Sequence, residues 1–286
     1  MTTFIELLKA VLFGIVEGIT EWLPVSSTGH IILLNDIVPL EISPAFYDLF
    51  EIVIQLGAIL AVIVLFFHKL NPLSPKKTAV QKKNTWSLWF KVVVAVLPSA
   101  VIGYVFDDKL DAYLRGTPMF GTDLNTVVVS VALILYGIAF LFVEKANSKK
   151  PFRITDVGQI DYKTALLIGA FQCLSIIPGT SRSGATILGA ILLGVSRPAG
   201  AEFSFFLAIP TMLGASLLKL MDFLGMSATG TELSVLAVGC VVSFIVSLLV
   251  IKGLMDYVRN HSFKAFGIYR IALGILVLGY FVAISL

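Results

Sequence analysis

Long apolar runs recur along the 286-residue chain, and six of them are long enough to cross a lipid bilayer. A membrane-spanning helix needs about 20 mostly apolar residues, and short polar segments separate the runs. The pattern therefore predicts an all-α polytopic membrane protein. The six predicted transmembrane helices are residues 45–67, 86–106, 124–143, 201–221, 233–252 and 264–285.

Two further apolar stretches, residues 4–34 and 162–195, are interrupted near their middle. Proline, glycine and serine cluster at 24–29 in the first stretch and at 178–184 in the second. These residue types end helices and favour turns, and neither half of a stretch is comfortably long enough to span. We therefore expect two re-entrant helix–loop–helix hairpins, whose loops are surrounded by protein or by a wet cavity.

The two interrupted stretches also match each other in sequence at one constant offset. The matching positions are Gly14, Glu17, Ser26, Thr28 and Gly29 in the first, and Gly169, Gln172, Ser181, Ser183 and Gly184 in the second. Three predicted spans lie between the hairpins, and an odd number of crossings inverts the second copy. We therefore expect a single integral membrane domain over residues 1–286, built from two inverted repeats at about 1–145 and 146–286.

The charged residues, which make up 14% of the chain, lie mainly in the connecting segments and indicate the orientation. Residues 69–91 contain lysines and no acid, and residues 145–163 are also basic, whereas residues 107–123 contain four aspartates. Basic loops are retained in the cytoplasm, so we expect 107–123 and both termini to lie outside. Since the net charge of +3 arises from such loops, it does not indicate a nucleic-acid partner.

The first hairpin carries two carboxylates in an otherwise apolar stretch. Glu17 and Glu21 are four residues apart, so both project from one face of the first half-helix. Charged groups at membrane depth persist where they face a protein interior or a wet cavity. The next half-helix opens with hydroxyl groups beside free backbone N–H groups, an arrangement that binds anions. The polar side chains at this position are Ser26, Ser27, Thr28 and His30.

The second hairpin has an arginine, Arg182, where the first has Ser27. Its guanidinium is a planar, permanently charged fork that suits phosphate. The hydroxyl groups around it belong to Ser181, Ser183 and Thr186. If the halves are inverted, both loops reach the midplane, and their combined side chains resemble a phosphoryl-transfer site. Gln55, on a predicted span, is expected to line the same cavity and to contact the substrate.

Each of these side chains also has a structural interpretation. Serine and threonine in membrane helices often donate to a carbonyl one turn earlier, and Glu17 or Glu21 could form a buried ion pair with Arg182 without any catalysis. A rival function is a transporter or lipid flippase, because inverted repeats with broken helices are typical of transporters. A transporter needs anion recognition but not two glutamates beside a serine and a histidine, so hydrolysis is favoured.

At these residues the chain resembles the bacterial undecaprenyl-pyrophosphate phosphatases, also called bacitracin-resistance proteins. The resemblance covers essentially the whole chain and is carried by residues 17–30, 178–186, 50–57, 202–205 and 268–270. It implies a multi-pass enzyme of the bacterial plasma membrane whose active site opens to the outer face. Such enzymes release inorganic phosphate from a polyprenyl pyrophosphate in the cell-wall lipid cycle, with help from a divalent cation, and they confer bacitracin resistance.

The resemblance implies roles for particular residues as well. Its catalytic positions match Glu17, Glu21, Ser27, His30, Ser181 and Arg182. We expect Glu21, together with Glu17, to hold Mg²⁺ or Ca²⁺, since hard cations prefer oxygen ligands. The nucleophile stays open between Ser27, His30 and water, although the Ser27–His30 spacing suits a serine–histidine pair. The expected partners are the lipid substrate, membrane lipid and possibly a second copy of the chain.

Overall fold

The structure is a computed structural model that describes residues 2–119, 122–147, 151–223 and 227–284, which are mostly helical. The helices are α1 (Thr2–Thr20), α2 (Ser27–Ile37), α3 (Pro44–Leu65), α4 (Phe67–Leu70), α5 (Ala79–Gly116), α6 (Leu124–Asn147), α7 (Tyr162–Gln172), α8 (Arg182–Leu192), α9 (Arg197–Asp222), α10 (Gly230–Asn260) and α11 (Lys264–Ile284). Short 3₁₀ turns lie at Val157–Gln159 and Cys173–Ile176. One two-residue strand pair, Pro118–Met119 with Thr122–Asp123, joins α5 to α6.

Six of the described helices are long and apolar enough to cross a membrane, namely α3, α5, α6, α9, α10 and α11. Each coincides with one predicted span, which confirms the all-α multi-pass prediction. The helices α5 and α10 begin before the apolar run that predicted them, because Thr78 with Gln81 and Thr229 with Glu232 form capping boxes at their first turns. A capping box satisfies free backbone N–H groups at the start of a helix. The position of the capping box therefore determines the first residue of the helix.

Both interrupted stretches break where the sequence places the break. The first is interrupted between α1 and α2, and the second between α7 and α8. Ser26 and Ser181 precede α2 and α8 with φ angles of 72° and 71°, a left-handed conformation that no other described residue except glycine adopts. Each serine hydroxyl accepts a hydrogen bond from a backbone N–H, that of Gly29 at 3.5 Å and that of Gly184 at 3.1 Å. The two helix starts therefore share one capped, strained backbone turn.

The helices pack in pairs that bring the two interrupted segments together. The helix α1 lies along α10, α7 lies along α5, and α6 lies along α11, while α3 contacts both α9 and α10. Small residues permit the closest approaches, because Gly14 faces the Gly239 carbonyl of α10 and Gly169 faces the Ala95 carbonyl of α5. Close helix contacts at small residues are typical of membrane proteins. In this packing α2 and α8 both contact α6.

We expect Gly57→Ala to destabilise the protein, because the added Cβ would collide with the Cys240 carbonyl and force α3 away from α10. Gly103→Ala is the matched control, since no atom lies within 4 Å of a Cβ built there. In the control, helix propensity alone should add up to about 1 kcal/mol. Thermal unfolding of the purified proteins in detergent measures both. Equal melting temperatures for Gly57→Ala and the parent chain would contradict this contact.

Candidate active site

The loops between the broken helices meet through a buried ion pair. The first loop is residues 21–26 and the second loop is residues 177–181. Glu21 Oε1 accepts a hydrogen bond from Arg182 Nη2 at 3.0 Å, and the two side chains are 8% and 11% exposed. Because an unpaired charge in such surroundings is costly, each partner depends on the other. The expectation that the two hairpins bring a carboxylate and a guanidinium together is therefore met.

The Ser27 hydroxyl belongs to the same cluster. Its Oγ donates to the other Glu21 oxygen, Oε2, at 2.9 Å. One carboxylate thus bridges a hydroxyl from the first half of the chain and a guanidinium from the second. A carboxylate at this distance can accept the serine proton, and the guanidinium beside it can bind an anionic substrate.

The His30 imidazole is bonded elsewhere than to Ser27. Its Nδ1 lies 2.7 Å from the Ser26 carbonyl oxygen, and its Nε2 lies 2.7 Å from the Tyr269 hydroxyl. The sequence placed Ser27 and His30 on one helix face, which suited a direct serine–histidine pair. The structure brings them to the same half-helix, but the hydrogen-bond partner of the serine is Glu21.

Arg182 is held by α9 as well as by Glu21. Its Nη1 donates to the Ser204 carbonyl at 2.9 Å, and its Nε, although buried, has no partner among the described residues. Ser204 follows Glu202 in the stretch that carried part of the sequence resemblance, and the next residue, Phe205, packs edge-on against Trp22 of the first loop. The guanidinium therefore has a fixed orientation and one donor that a ligand oxygen could satisfy.

Two of the predicted substrate-binding hydroxyls, those of Ser183 and Thr186, form hydrogen bonds within the protein. Ser183 Oγ donates to the carbonyls of Glu21 at 3.0 Å and Leu23 at 3.2 Å, which holds the end of the first half-helix. Thr186 Oγ1 donates to the Arg182 carbonyl at 3.0 Å and lies 2.7 Å from Ser204 Oγ. Their contact with substrate stays a prediction.

Four more predicted substrate contacts lie at the edges of the cluster. Ser26 and Ser181 cap their helices, so their hydroxyls already accept backbone N–H groups. Thr28 is half-buried in the first turn of α2. Gln55 is also half-buried, and its Nε2 donates to the Glu51 carbonyl one turn earlier at 3.3 Å. A direct contact of any of these side chains with substrate is likewise a prediction.

The carboxylates of Glu17 and Glu21 suit a divalent cation that takes its other ligands from substrate oxygens and water. Glu17 is 1% exposed, its Oε1 has no partner among the described residues, and the charges of Glu21 and Glu51 repel it. No group of three or more His, Cys, Asp or Glu side chains in the described ranges is arranged to hold a metal by itself. Mg²⁺ commonly uses one or two carboxylates, with phosphate oxygens and water as its other ligands, and Glu17 with Glu21 suits that arrangement.

One arginine that sequence reasoning gave no role joins the two loops from α11. Arg270 is fully buried and donates to the Pro24 carbonyl of the first loop at 3.2 Å. It also donates to the Gly179 and Thr180 carbonyls of the second loop at 2.7 and 2.9 Å, and it lies 5.5 Å from the Tyr136 ring centroid. The sequence does contain a signal for this residue, because it is a lone arginine inside an apolar span. Charged residues within such spans usually have a function.

The chain has well-matched relatives. Residues 10–276 match the family model described as bacitracin resistance protein BacA. A protein of Lactiplantibacillus plantarum named undecaprenyl-diphosphatase is 54% identical over 282 residues, which cover 98% of this chain and 99% of that protein. One of Enterococcus faecalis with the same name is 56% identical over 277 residues, 96% and 97% of the two chains. The undecaprenyl-diphosphatase 1 of Clostridioides difficile is 55% identical over 283 residues, 98% and 99% of the two chains.

We expect Arg270→Met to destabilise the protein by about 3 kcal/mol or more, because it leaves three buried carbonyls without a donor. Arg259→Met is the control, since the Arg259 side chain is 63% exposed and its ion pair with Asp256 lies at the surface. Surface pairs contribute at most about 1 kcal/mol. Melting temperatures in detergent compare the two variants. A loss no larger for Arg270→Met than for Arg259→Met would exclude Arg270 as the link between the loops.

Proposed function

The chain belongs to the BacA bacitracin-resistance family, and from that premise we propose that it hydrolyses undecaprenyl diphosphate to undecaprenyl phosphate and inorganic phosphate. Full-length relatives more than half identical to it carry the name undecaprenyl-diphosphatase. Within the site, the observation that supports the proposal best is the Glu21 carboxylate between Ser27 and Arg182. Ser27 as nucleophile and Arg182 as anion-binding fork would then each lie within hydrogen-bond distance of Glu21 as proton acceptor.

In the first step, Ser27 attacks the terminal phosphorus of the lipid diphosphate. A bond forms from Ser27 Oγ to phosphorus while the bond from phosphorus to the bridging oxygen breaks, and undecaprenyl phosphate leaves. Glu21 Oε2, at 2.9 Å, takes the serine proton. Arg182 and the backbone N–H groups at the starts of α2 and α8 stabilise the charge that develops on the phosphoryl oxygens.

In the second step, water attacks the phosphorus of the phosphoserine, the bond from phosphorus to Ser27 Oγ breaks, and Glu21 returns its proton to Ser27 Oγ as inorganic phosphate leaves. His30 Nε2 takes the proton of the attacking water. Glu17 and Glu21 would hold the divalent cation, Mg²⁺ or Ca²⁺, whose chemistry is to neutralise charge on the diphosphate oxygens. Direct attack by His30 or by water is the alternative to the serine route.

The site is proposed to lie at membrane depth between two inverted repeats. Two features support this architecture. Ser26 and Ser181 share the same positive φ and the same cap, and α1 packs on α10 as α7 packs on α5. In this arrangement both broken segments are re-entrant hairpins of a plasma-membrane protein, and the site opens to the outer face. The structure does not describe the acidic side chains on which the orientation depends, which are those of Asp107, Asp108, Asp111 and Asp123.

Hydrolysis is distinguished from lipid translocation by phosphate release in detergent, where no transport can occur. We expect the purified chain to release phosphate from undecaprenyl diphosphate, and Glu21→Gln to lose about 10²–10³ in rate, because the amide replaces a charged partner of Ser27 and Arg182. Glu41→Gln, at an exposed glutamate, is the control and should keep the parent rate. No phosphate release by the parent chain would overturn the proposed activity, and a near-parent rate for Glu21→Gln would overturn the role of Glu21.

The nucleophile is identified by trapping a phosphoenzyme during turnover. If Ser27 attacks, rapid acid quenching with labelled substrate yields an acid-stable phosphoserine, and Ser27→Ala abolishes turnover because no other hydroxyl among the described residues is bonded to the Glu21 carboxylate. A phosphoenzyme that is labile in acid but stable in base would identify His30 instead. Neither species, with more than a few per cent of activity left in Ser27→Ala, would identify water.

The orientation is tested with single cysteines in a Cys173→Ser, Cys240→Ser background. We expect a membrane-impermeant thiol reagent added to intact cells to label Gly116→Cys, because residues 107–123 are predicted to lie outside. Ala79→Cys and Ser148→Cys should react only after the membrane is opened. Strong labelling of position 79 or 148 in intact cells is incompatible with the proposed inverted topology.

A further inference from the structure

Tyr269 of α11, which takes no part in the steps proposed above, is bonded to the imidazole of His30. Its hydroxyl lies 2.7 Å from His30 Nε2, and the two rings are nearly parallel, with an interplanar angle of 5° and centroids 5.6 Å apart. The two residues come from opposite ends of the chain. A hydroxyl bonded to this nitrogen affects whether the nitrogen is protonated.

The second imidazole nitrogen fixes the direction of this hydrogen bond. His30 Nδ1 lies 2.7 Å from the Ser26 carbonyl oxygen, which can only accept, so Nδ1 carries a proton. In the neutral ring Nε2 is then an acceptor, and the Tyr269 hydroxyl donates to it. Ser26 and Tyr269 together hold the ring from both sides in one tautomer.

We propose that Tyr269 is the proton relay of His30, giving its own hydroxyl proton to Nε2 while its oxygen takes a proton from the attacking water. The inference rests on the proposed function, in which Nε2 takes a proton. A phenol oxygen can both donate and accept. After the transfer the O–H bond of Tyr269 comes from water and the new Nε2–H donates to Tyr269, so the hydrogen bond reverses without moving the ring. A carboxylate or an ammonium at the same place could serve only one of the two protonation states.

The same helix pair supplies a matched control. Tyr280 of α11 donates its hydroxyl to Asp36 of α2 at 2.7 Å, so it ties the same two helices together about three turns along α11 from Tyr269. Tyr269 and Tyr280 are also similarly exposed, at 46% and 36%. Replacement of either by phenylalanine removes one hydroxyl bond between α2 and α11 and keeps the ring, but only Tyr269→Phe changes the surroundings of Nε2.

Steady-state phosphate release in detergent gives the first test. We expect kcat of Tyr269→Phe to fall about tenfold, as is usual when the partner of a functional histidine is removed, with KM changed less than twofold. Tyr280→Phe should keep both constants within twofold. A kcat for Tyr269→Phe within twofold of the parent, or equal losses in both variants, would overturn the proposal, because a purely structural tie affects both alike.

Nitrogen NMR of the imidazole gives a second test that does not depend on activity. The chain has three histidines, so His68→Gln with His261→Gln leaves His30 alone. With ¹⁵N-labelled histidine we expect a protonated Nδ1 and a hydrogen-bonded Nε2, and Tyr269→Phe should shift the Nε2 signal while Tyr280→Phe leaves it unchanged. An Nε2 signal unaltered by Tyr269→Phe would overturn the proposal. Full activity of His30→Ala would instead refute the proposed role of His30, and the spectra would still report the Tyr269 contact.

Discussion

Two opposite charges buried inside a membrane protein stabilise each other by pairing, and here Glu21 and Arg182 pair across the gap between two broken helices. Their pairing fixes the distance between the first and second loops, and Arg270 adds three hydrogen bonds to the carbonyls of both. Because each charge would be costly alone, the loops are ordered relative to one another before any substrate binds. Ser27 and the unbonded Nε of Arg182 are thereby held at the site that we propose for the phosphate group.

The two halves of the site have the same backbone but different chemistry. The position that holds Glu17 in the first half holds Gln172 in the second, and Gln172 Nε2 donates to Ser99 and Thr211 at 2.6 and 3.2 Å. The amide nitrogen can donate to neighbouring hydroxyls in this way, whereas a carboxylate can only accept. At the matching positions of the two segments, the carboxylate thus lies in the first and an amide in the second, while the guanidinium of Arg182 lies in the second, which suits the phosphate site proposed between them.

The features that depend on local sequence could be predicted, and those that depend on distant packing could not. The six spans and both breaks follow from transfer energies and from proline, glycine and serine, and the pairing of a glutamate with Arg182 follows from the cost of isolated charge. The serine–histidine pair expected from spacing is replaced by a Ser27–Glu21 bond, since the Ser26 carbonyl and Tyr269 engage both nitrogens of His30. Tyr269 contacts a residue far away in sequence, which no local pattern shows.

The central claim is that Glu21 and Arg182 act as one unit, and a double-mutant cycle on phosphate release tests it most directly. Glu21→Gln, Arg182→Gln and the double variant are compared with the parent chain as purified proteins in detergent. Residues that act as a unit lose little more together than apart, so the account predicts that the double variant is about as slow as the slower single variant. A double variant whose loss equals the product of the two single losses would show independent residues and contradict the account.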